Sequence, residues 1–196
     1  MGVVVKVELR DDLNQVVARM IRGKVERIAR EVAAEAAANA PAAKVWITAA
    51  DERVRPSHVD AEGQTIPENL RFKLRKQRYV GGTGRGSGRR AVHYSGVAVL
   101  TSGYDLARKP RDPALPRDQK DRCRCISVRI PNAIARKVHA EPAVIEGSRV
   151  TARIVVQFQR IAESEFGTSG DPGTHFLGRA VNTVAARLRG ASARRT

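Results

Sequence analysis

The chain has little of what secreted scaffolds, membrane proteins and base-stacking RNA binders depend on. It holds two cysteines in 196 residues, Cys123 and Cys125, separated only by Arg124. That is too few for a disulfide framework and too close for an easy unstrained bridge, so a reducing compartment is expected. Aromatic residues are sparse, with four Phe, three Tyr and one Trp. Stacking bases on an aromatic platform is therefore a poor explanation for a basic chain. No apolar run approaches the length of a membrane span. The apolar start, Val3-Val4-Val5, is broken by Lys6 and is shorter than the core of a secretory signal. Acidic residues are also in short supply, 20 against 36 Lys and Arg, for a formal net charge of +16. A hydrophobic content of 42% nevertheless stays near the globular range, which excludes disorder throughout. The length suits one ordinary domain, or one domain carrying a large insertion.

Catalytic signatures are missing as well. There is no His-Glu-x-x-His and no Gly-x-Ser-x-Gly. The paired carboxylates, Asp11/Asp12 and Glu163/Glu165, lie where a helix start and a strand end are expected, so capping or ion pairing explains them. No catalytic residue is assigned and no enzyme is expected.

The basic excess is uneven. Residues 71–90 hold eight basic and no acidic side chains, whereas residues 46–70 hold two and five. Within the basic block, Gly81-Gly82-Thr83-Gly84-Arg85-Gly86-Ser87-Gly88-Arg89-Arg90 looks at first like a phosphate cradle. A P-loop needs Lys-Ser or Lys-Thr after its last glycine, and here Arg89-Arg90 follows. The composition instead predicts a flexible basic loop that orders against DNA phosphates or an acidic protein surface. Arg85, Arg89 and Arg90, with Arg194 and Arg195 in the basic tail, are the expected partner- or DNA-contacting residues.

Periodicity places the ordered elements. Val3, Val5, Val7 and Leu9 alternate as a half-buried strand, and so do Val150, Ala152, Ile154, Val156 and Phe158. Asp12-Leu13-Asn14-Gln15 has capping-box chemistry and opens a helical pattern that stops at Asn39-Ala40-Pro41. A second helical pattern runs through Phe176, Leu177, Ala180, Val181, Val184 and Leu188. The expected fold is α+β: a small, mostly antiparallel sheet from strands 3–9 and 149–160, packed by a long N-terminal helix, 12–39, and a C-terminal helix, 174–189. A loop-rich insertion spans 44–130 and carries the Gly/Arg loop, leaving 1–43 and 131–196 as one domain. Core candidates are Val5, Val7, Val17, Ile21, Ile28, Val32, Ile154, Val156, Phe158, Leu177, Val181 and Val184.

Cys123-Arg124-Cys125 offers two soft ligands, and the chain has four histidines, His58, His93, His139 and His175. A closed tetrahedral site needs two more ligands beyond the thiolates. His58 is the preferred third, with Asp51 or His93 as the fourth. Two reduced cysteines in a strand or turn is the plainer reading, and composition alone favours it.

Two groups of residues carry a family resemblance. The terminal parts, with Ala40-Pro41, Glu165-Phe166-Gly167-Thr168 and Phe176-Leu177-Gly178-Arg179-Ala180, resemble the tail-component or neck family of long-tailed double-stranded-DNA bacteriophages, the proteins of head–tail joining and tail completion. The insertion resembles the cysteine-bearing module of the phage Mu F-like head-morphogenesis proteins. It does so through Trp46, Thr48, Asp51, Arg53, Val54, Arg55, His58 and Gly63, then Pro110-Arg111-Asp112-Pro113, then Cys123-Arg124-Cys125. The resemblance implies a virion structural protein, made in the bacterial host cytoplasm and forming a ring of six or twelve copies at the head–tail junction. Its implied partners are itself, the connector or portal on one side, the tail-tube or terminator proteins on the other, and packaged DNA, with no membrane. It implies convergence of His58, Cys123 and Cys125, with zinc as the only expected cofactor, and a subunit interface at Glu165, Phe166 and Phe176. The alternatives are a head-morphogenesis, minor-capsid factor acting with portal or capsid, and a basic nonspecific DNA-binding protein.

Overall fold

A computed structural model of the chain describes residues 2–10, 15–80, 96–146, 149–168 and 171–193. In chain order the elements are β1 (Gly2–Arg10), α1 (Gln15–Asn39), β2 (Ala43–Ile47), α2 (Pro56–Val59), β3 (Thr65–Pro67), β4 (Phe72–Val80), β5 (Val97–Ala107), α3 (Arg117–Lys120) and β6 (Ile126–Ile130). They continue with β7 (Val138–Ala140), β8 (Val144–Glu146), β9 (Arg149–Gln157), α4 (Ile161–Phe166), β10 (Gly167–Thr168), β11 (Asp171–Pro172) and α5 (Phe176–Ala193). The fold is α+β with small antiparallel sheets. The described residues divide into two compact units: 1–43, 67–69 and 130–196 form one, and 44–66 with 70–129 form the other. No helix among them is long and apolar enough to cross a membrane.

In the first unit β1 and β9 pair antiparallel over nine residues, from Gly2 opposite Gln157 to Arg10 opposite Arg149. β7 and β8 share the other edge of β9. The alternation of β9 puts Val150, Ala152, Ile154 and Val156 inside. Against them lies the apolar stripe of α1, with Val25, Ala29, Val32, Ala33 and Ala36 all buried at three- and four-residue intervals. α5 adds Phe176, Leu177, Ala180 and Val184 to the same cluster. Each large side chain so buried contributes roughly 1.5–3 kcal/mol. Of the expected core, Val32, Ile154, Val156, Leu177 and Val184 are buried, and Ile21, Ile28, Phe158 and Val181 pack against them partly buried. Val5, Val7 and Val17 fall in β1 and α1, where side chains lie outside the described set.

Three features differ from expectation. The strand ends at Gln157, and Arg160, at a left-handed φ of 54°, turns the chain into α4, so Glu163 and Glu165 sit in a helical turn. Glu165 is 3% exposed, and its carboxylate accepts the N–H groups of Leu177 (3.2 Å) and Gly178 (3.0 Å) at the start of α5. It caps that helix from within, complementing the partial positive charge there. Phe176 is wholly buried. Glu165 and Phe176 therefore correct the expected subunit interface, since neither reaches the surface; Phe166, 70% exposed, does. Gly173 threads against this turn: a Cβ there would stand 2.5 Å from the Glu165 carbonyl oxygen and 2.7 Å from the Phe166 carbonyl carbon.

The second unit has more strand than its sequence suggests. β4 and β5 form a long two-stranded antiparallel ribbon, while β3, β2 and β6 form a three-stranded sheet. The ribbon starts with Phe72 and Leu74 buried, then a register shift between Arg75 and Gln77 breaks the alternation. Beyond it both strands become progressively exposed, which hides the period from sequence reading. Trp46, Ile66, Leu70, Phe72, Leu74 and Leu115 form the core, with Cys123 and Cys125 in the same cluster.

Candidate metal centre

His58 lies on α2, a single turn opened by Pro56, whose fixed φ suits a first helical position. The His58 N–H donates to the Arg55 carbonyl (2.9 Å), closing that turn. Ser57 Oγ donates to Gln119 Oε1 (2.7 Å), both residues being buried, and Gln119 Nε2 donates to the Arg75 carbonyl (3.1 Å). These bonds tie α2 and α3 to β4. Arg122, at a left-handed φ of 52°, then bends the chain so that Cys123 and Cys125 both turn inward.

The Pro110–Pro113 segment holds that bend from the other side. The Asp112 carboxylate accepts the backbone N–H groups of Arg108 (2.5 Å) and Ala114 (3.0 Å), making a tight turn. Burial pushes its carboxyl up, but those N–H groups outweigh it and hold the carboxyl below its usual range. The turn presents Arg111, whose Nε donates to the Cys123 carbonyl (2.6 Å). Arg55 donates to the Asp121 carbonyl, and the Gly63 N–H to the Trp46 carbonyl (2.9 Å). Trp46 stands edge-to-face against both His58 (5.4 Å between ring centres) and Phe72 (5.3 Å).

These contacts bring the ligand atoms of His58, Cys123 and Cys125 within 4.8 Å of one another, all three residues buried. His58 Nδ1 is 3.3 Å from Cys125 Sγ and 3.7 Å from Cys123 Sγ. Bonds of about 2.3 Å to sulfur and 2.0 Å to nitrogen put S and N roughly 3.5 Å apart on a tetrahedral zinc. The two distances bracket that value, so the donor set fits in chemistry and spacing. The Cys123 thiol is held down at about 4, chiefly by a hydrogen bond from Cys125, against the cost of burial and with help from His58. Cys125 is pushed up, first because its proton is shared with Cys123 and then by burial. The pair thus behaves as one thiolate and one thiol. The buried Trp46 indole N–H makes no hydrogen bond of normal geometry among the described residues, yet it lies close enough to Cys125 to oppose part of the rise there. It is placed to donate to a metal-bound thiolate.

Of the expected ligands, Asp51 is not in this group. Its carboxylate pairs with Arg124 at 2.5 Å and accepts the Arg53 N–H at 3.0 Å, so it organises the loop before α2 and is corrected from ligand to loop brace. The Arg124 hydrogen bond holds its carboxyl below the ordinary value. His93, the loop 81–90 with Arg85, Arg89 and Arg90, and Arg194 and Arg195 lie outside the described residues. Sequence reading missed Gln119, which supports the site through Ser57 at a separation no spacing rule would link. Comparison of the chain with family models, with curated proteins and with solved structures finds no match.

Proposed function

We propose that this chain is a structural virion protein of a long-tailed double-stranded-DNA phage. In this reading it forms a ring at the head–tail junction, and zinc clamps its 44–129 unit. The junction role rests on the resemblance of the terminal motifs, while the convergence of His58, Cys123 and Cys125 supports the zinc clamp. The residues on which the head-morphogenesis resemblance rests build the scaffold around that point. Trp46 packs on His58, Arg55 and Arg111 hold backbone carbonyls beside the cysteines, Asp112 caps the turn that carries Arg111, and Gly63 receives its turn at a φ of 71°. The terminal motif is equally structural, Glu165 capping the helix that begins Phe176-Leu177.

Zinc supplies a crosslink at this point when bound, and its binding energy is folding energy for a unit with a small core. His58 would hold it through Nδ1, the ring nitrogen that faces both sulfurs, and the two cysteines through sulfur. In a closed ring each subunit offers one surface to its neighbour and a different one to the next. Phe166 is exposed and so available to a protein partner, and Arg85, Arg89, Arg90, Arg194 and Arg195 remain the residues proposed for partner or DNA contact. The role is assembly, without catalysis.

The test is the copy number in purified particles, by quantitative mass spectrometry against the major capsid protein, with zinc measured on the purified chain. About six or about twelve copies per particle is the expectation for a symmetric ring, with one zinc per chain. Absence from the particle overturns the junction reading in favour of a transient morphogenesis factor. Zinc-free protein whose stability is indifferent to chelator overturns the clamp.

A further inference from the structure

Three protein ligands among the described residues leave a tetrahedral metal with one position to fill, and what surrounds that position decides what fills it. The cavity against His58, Cys123 and Cys125 is lined by Arg53, Arg55, Arg122 and Arg124, and no carboxylate among the described residues lines it. Of the carboxylates nearby, Asp51 is engaged with Arg124 and with the Arg53 N–H, and Asp121 pairs with Arg117 outside the lining. Arg55 spends one N–H group on the Asp121 carbonyl, and Arg122 has no ion pair among the described residues. Zinc with two thiolates and a neutral imidazole carries no net charge, so it does nothing to offset the lining arginines, of which Arg124 alone has an ion pair among the described residues. Guanidinium forks match oxyanions in both charge and geometry.

We propose that the fourth position of the metal is taken by an external oxyanion, held between the metal and the arginines of this cavity. The inference rests on the metal reading above and extends it: the site is a receptor for a carboxylate or phosphate oxygen as well as a clamp. In an assembly, the same chemistry lets an acidic side chain or a chain terminus of a neighbouring protein complete the coordination, so that docking and metal closure become one event. A free phosphate would fill the position without any partner.

Cobalt in place of zinc makes the test, with the full chain. Cobalt bound by thiolates gives charge-transfer absorption, and its visible ligand-field bands report the fourth ligand separately. Inorganic phosphate and acetate are the probes. Saturable shifts of the ligand-field bands, with charge transfer intact, are the expected result. Arg53→Gln with Arg122→Gln, both exposed positions, should weaken that binding about tenfold, and added neutral salt should weaken it further. A response to acetate assigns the site to carboxylates and hence to protein partners; a response to phosphate alone assigns it to the free anion. Ligand-field bands that ignore both anions overturn the inference while leaving the clamp standing. The inference falls equally if His93→Ala changes the anion-free spectrum, because the chain then fills the position itself. No charge-transfer absorption at all overturns the metal reading, and this inference with it.

Discussion

Replacing Glu165 separates the two roles open to it, internal cap or subunit contact. Its carboxylate is 3% exposed and accepts two backbone N–H groups, those of Leu177 and Gly178. A hydrogen bond to a charged group contributes about 1.5–3 kcal/mol, and a buried donor left without an acceptor costs about 1–3 kcal/mol. Leu177 is buried, so its N–H cannot turn to water after truncation, whereas Gly178 is on the exposed side. Glu165→Ala should therefore cost about 3–4 kcal/mol. Midpoints move about 2–4 °C per kcal/mol at this chain length, which gives a fall of roughly 10 °C. Glu165→Gln keeps an amide oxygen for one N–H and loses the charge facing the helix start; about 1–2 kcal/mol is expected. Calorimetry gives the midpoints, and hydrogen exchange at the Leu177 and Gly178 amides locates the loss. If Glu165→Ala melts within about 1 °C of the parent, with amide protection unchanged, the capping argument is refuted. A subunit contact would then be the better account of this residue.

Gly173→Ala should cost about 2–3 kcal/mol in urea denaturation, because the new methyl meets backbone at 2.5 Å and 2.7 Å and no side chain is there to give way; an unchanged midpoint would show the turn to be looser than these contacts require. Trp46→Phe keeps the edge-to-face packing but removes the indole N–H, so zinc affinity by chelator competition should fall about tenfold, and equal affinity would remove Trp46 from the site's support. Zinc uptake at pH 8, above the ordinary imidazole range, should release about one proton per metal from the thiols, since Cys123, held down at about 4, is already ionised and Cys125 still carries its proton. The sign follows: lowering the pH restores protons to the pair and weakens binding. Release of two protons, measured with an indicator in weak buffer, would contradict the shared-proton pair.

The first unit is legible because its signals are local. Val150, Ala152, Ile154 and Val156 read as one sheet face, the stripe from Ile21 to Ala36 as one helix face, and Pro41 as a stop; each is a periodicity or steric fact carried within a few residues. Glu165 misleads for the opposite reason. In sequence it stands in the Glu165-Phe166-Gly167-Thr168 motif, whose family resemblance implies a subunit surface. Its function comes from the amides of Leu177 and Gly178, which only the return of the chain through Gly173 brings to it.

The site divides along the same line. Residue chemistry alone offers two thiols and four imidazoles as soft-metal ligands, and the family resemblance is what singles out His58. Spacing does not say which carboxylate, if any, joins them. Asp51 is seven residues from His58, close enough to qualify by spacing. The folded chain gives it to Arg124 instead, seventy-three residues on. Gln119 and Arg111 carry no mark of a bracing role in the sequence, since a side chain that braces a ligand through a neighbour's hydroxyl or carbonyl is chosen by direction and distance. Local pattern settles which faces are apolar and which atoms are chemically able to bind. Tertiary structure settles which of them meet, because long-range contacts depend on turns such as those at Arg111, Arg122 and Arg160, whose left-handed backbone is set by the packing around them and not by their own side chains.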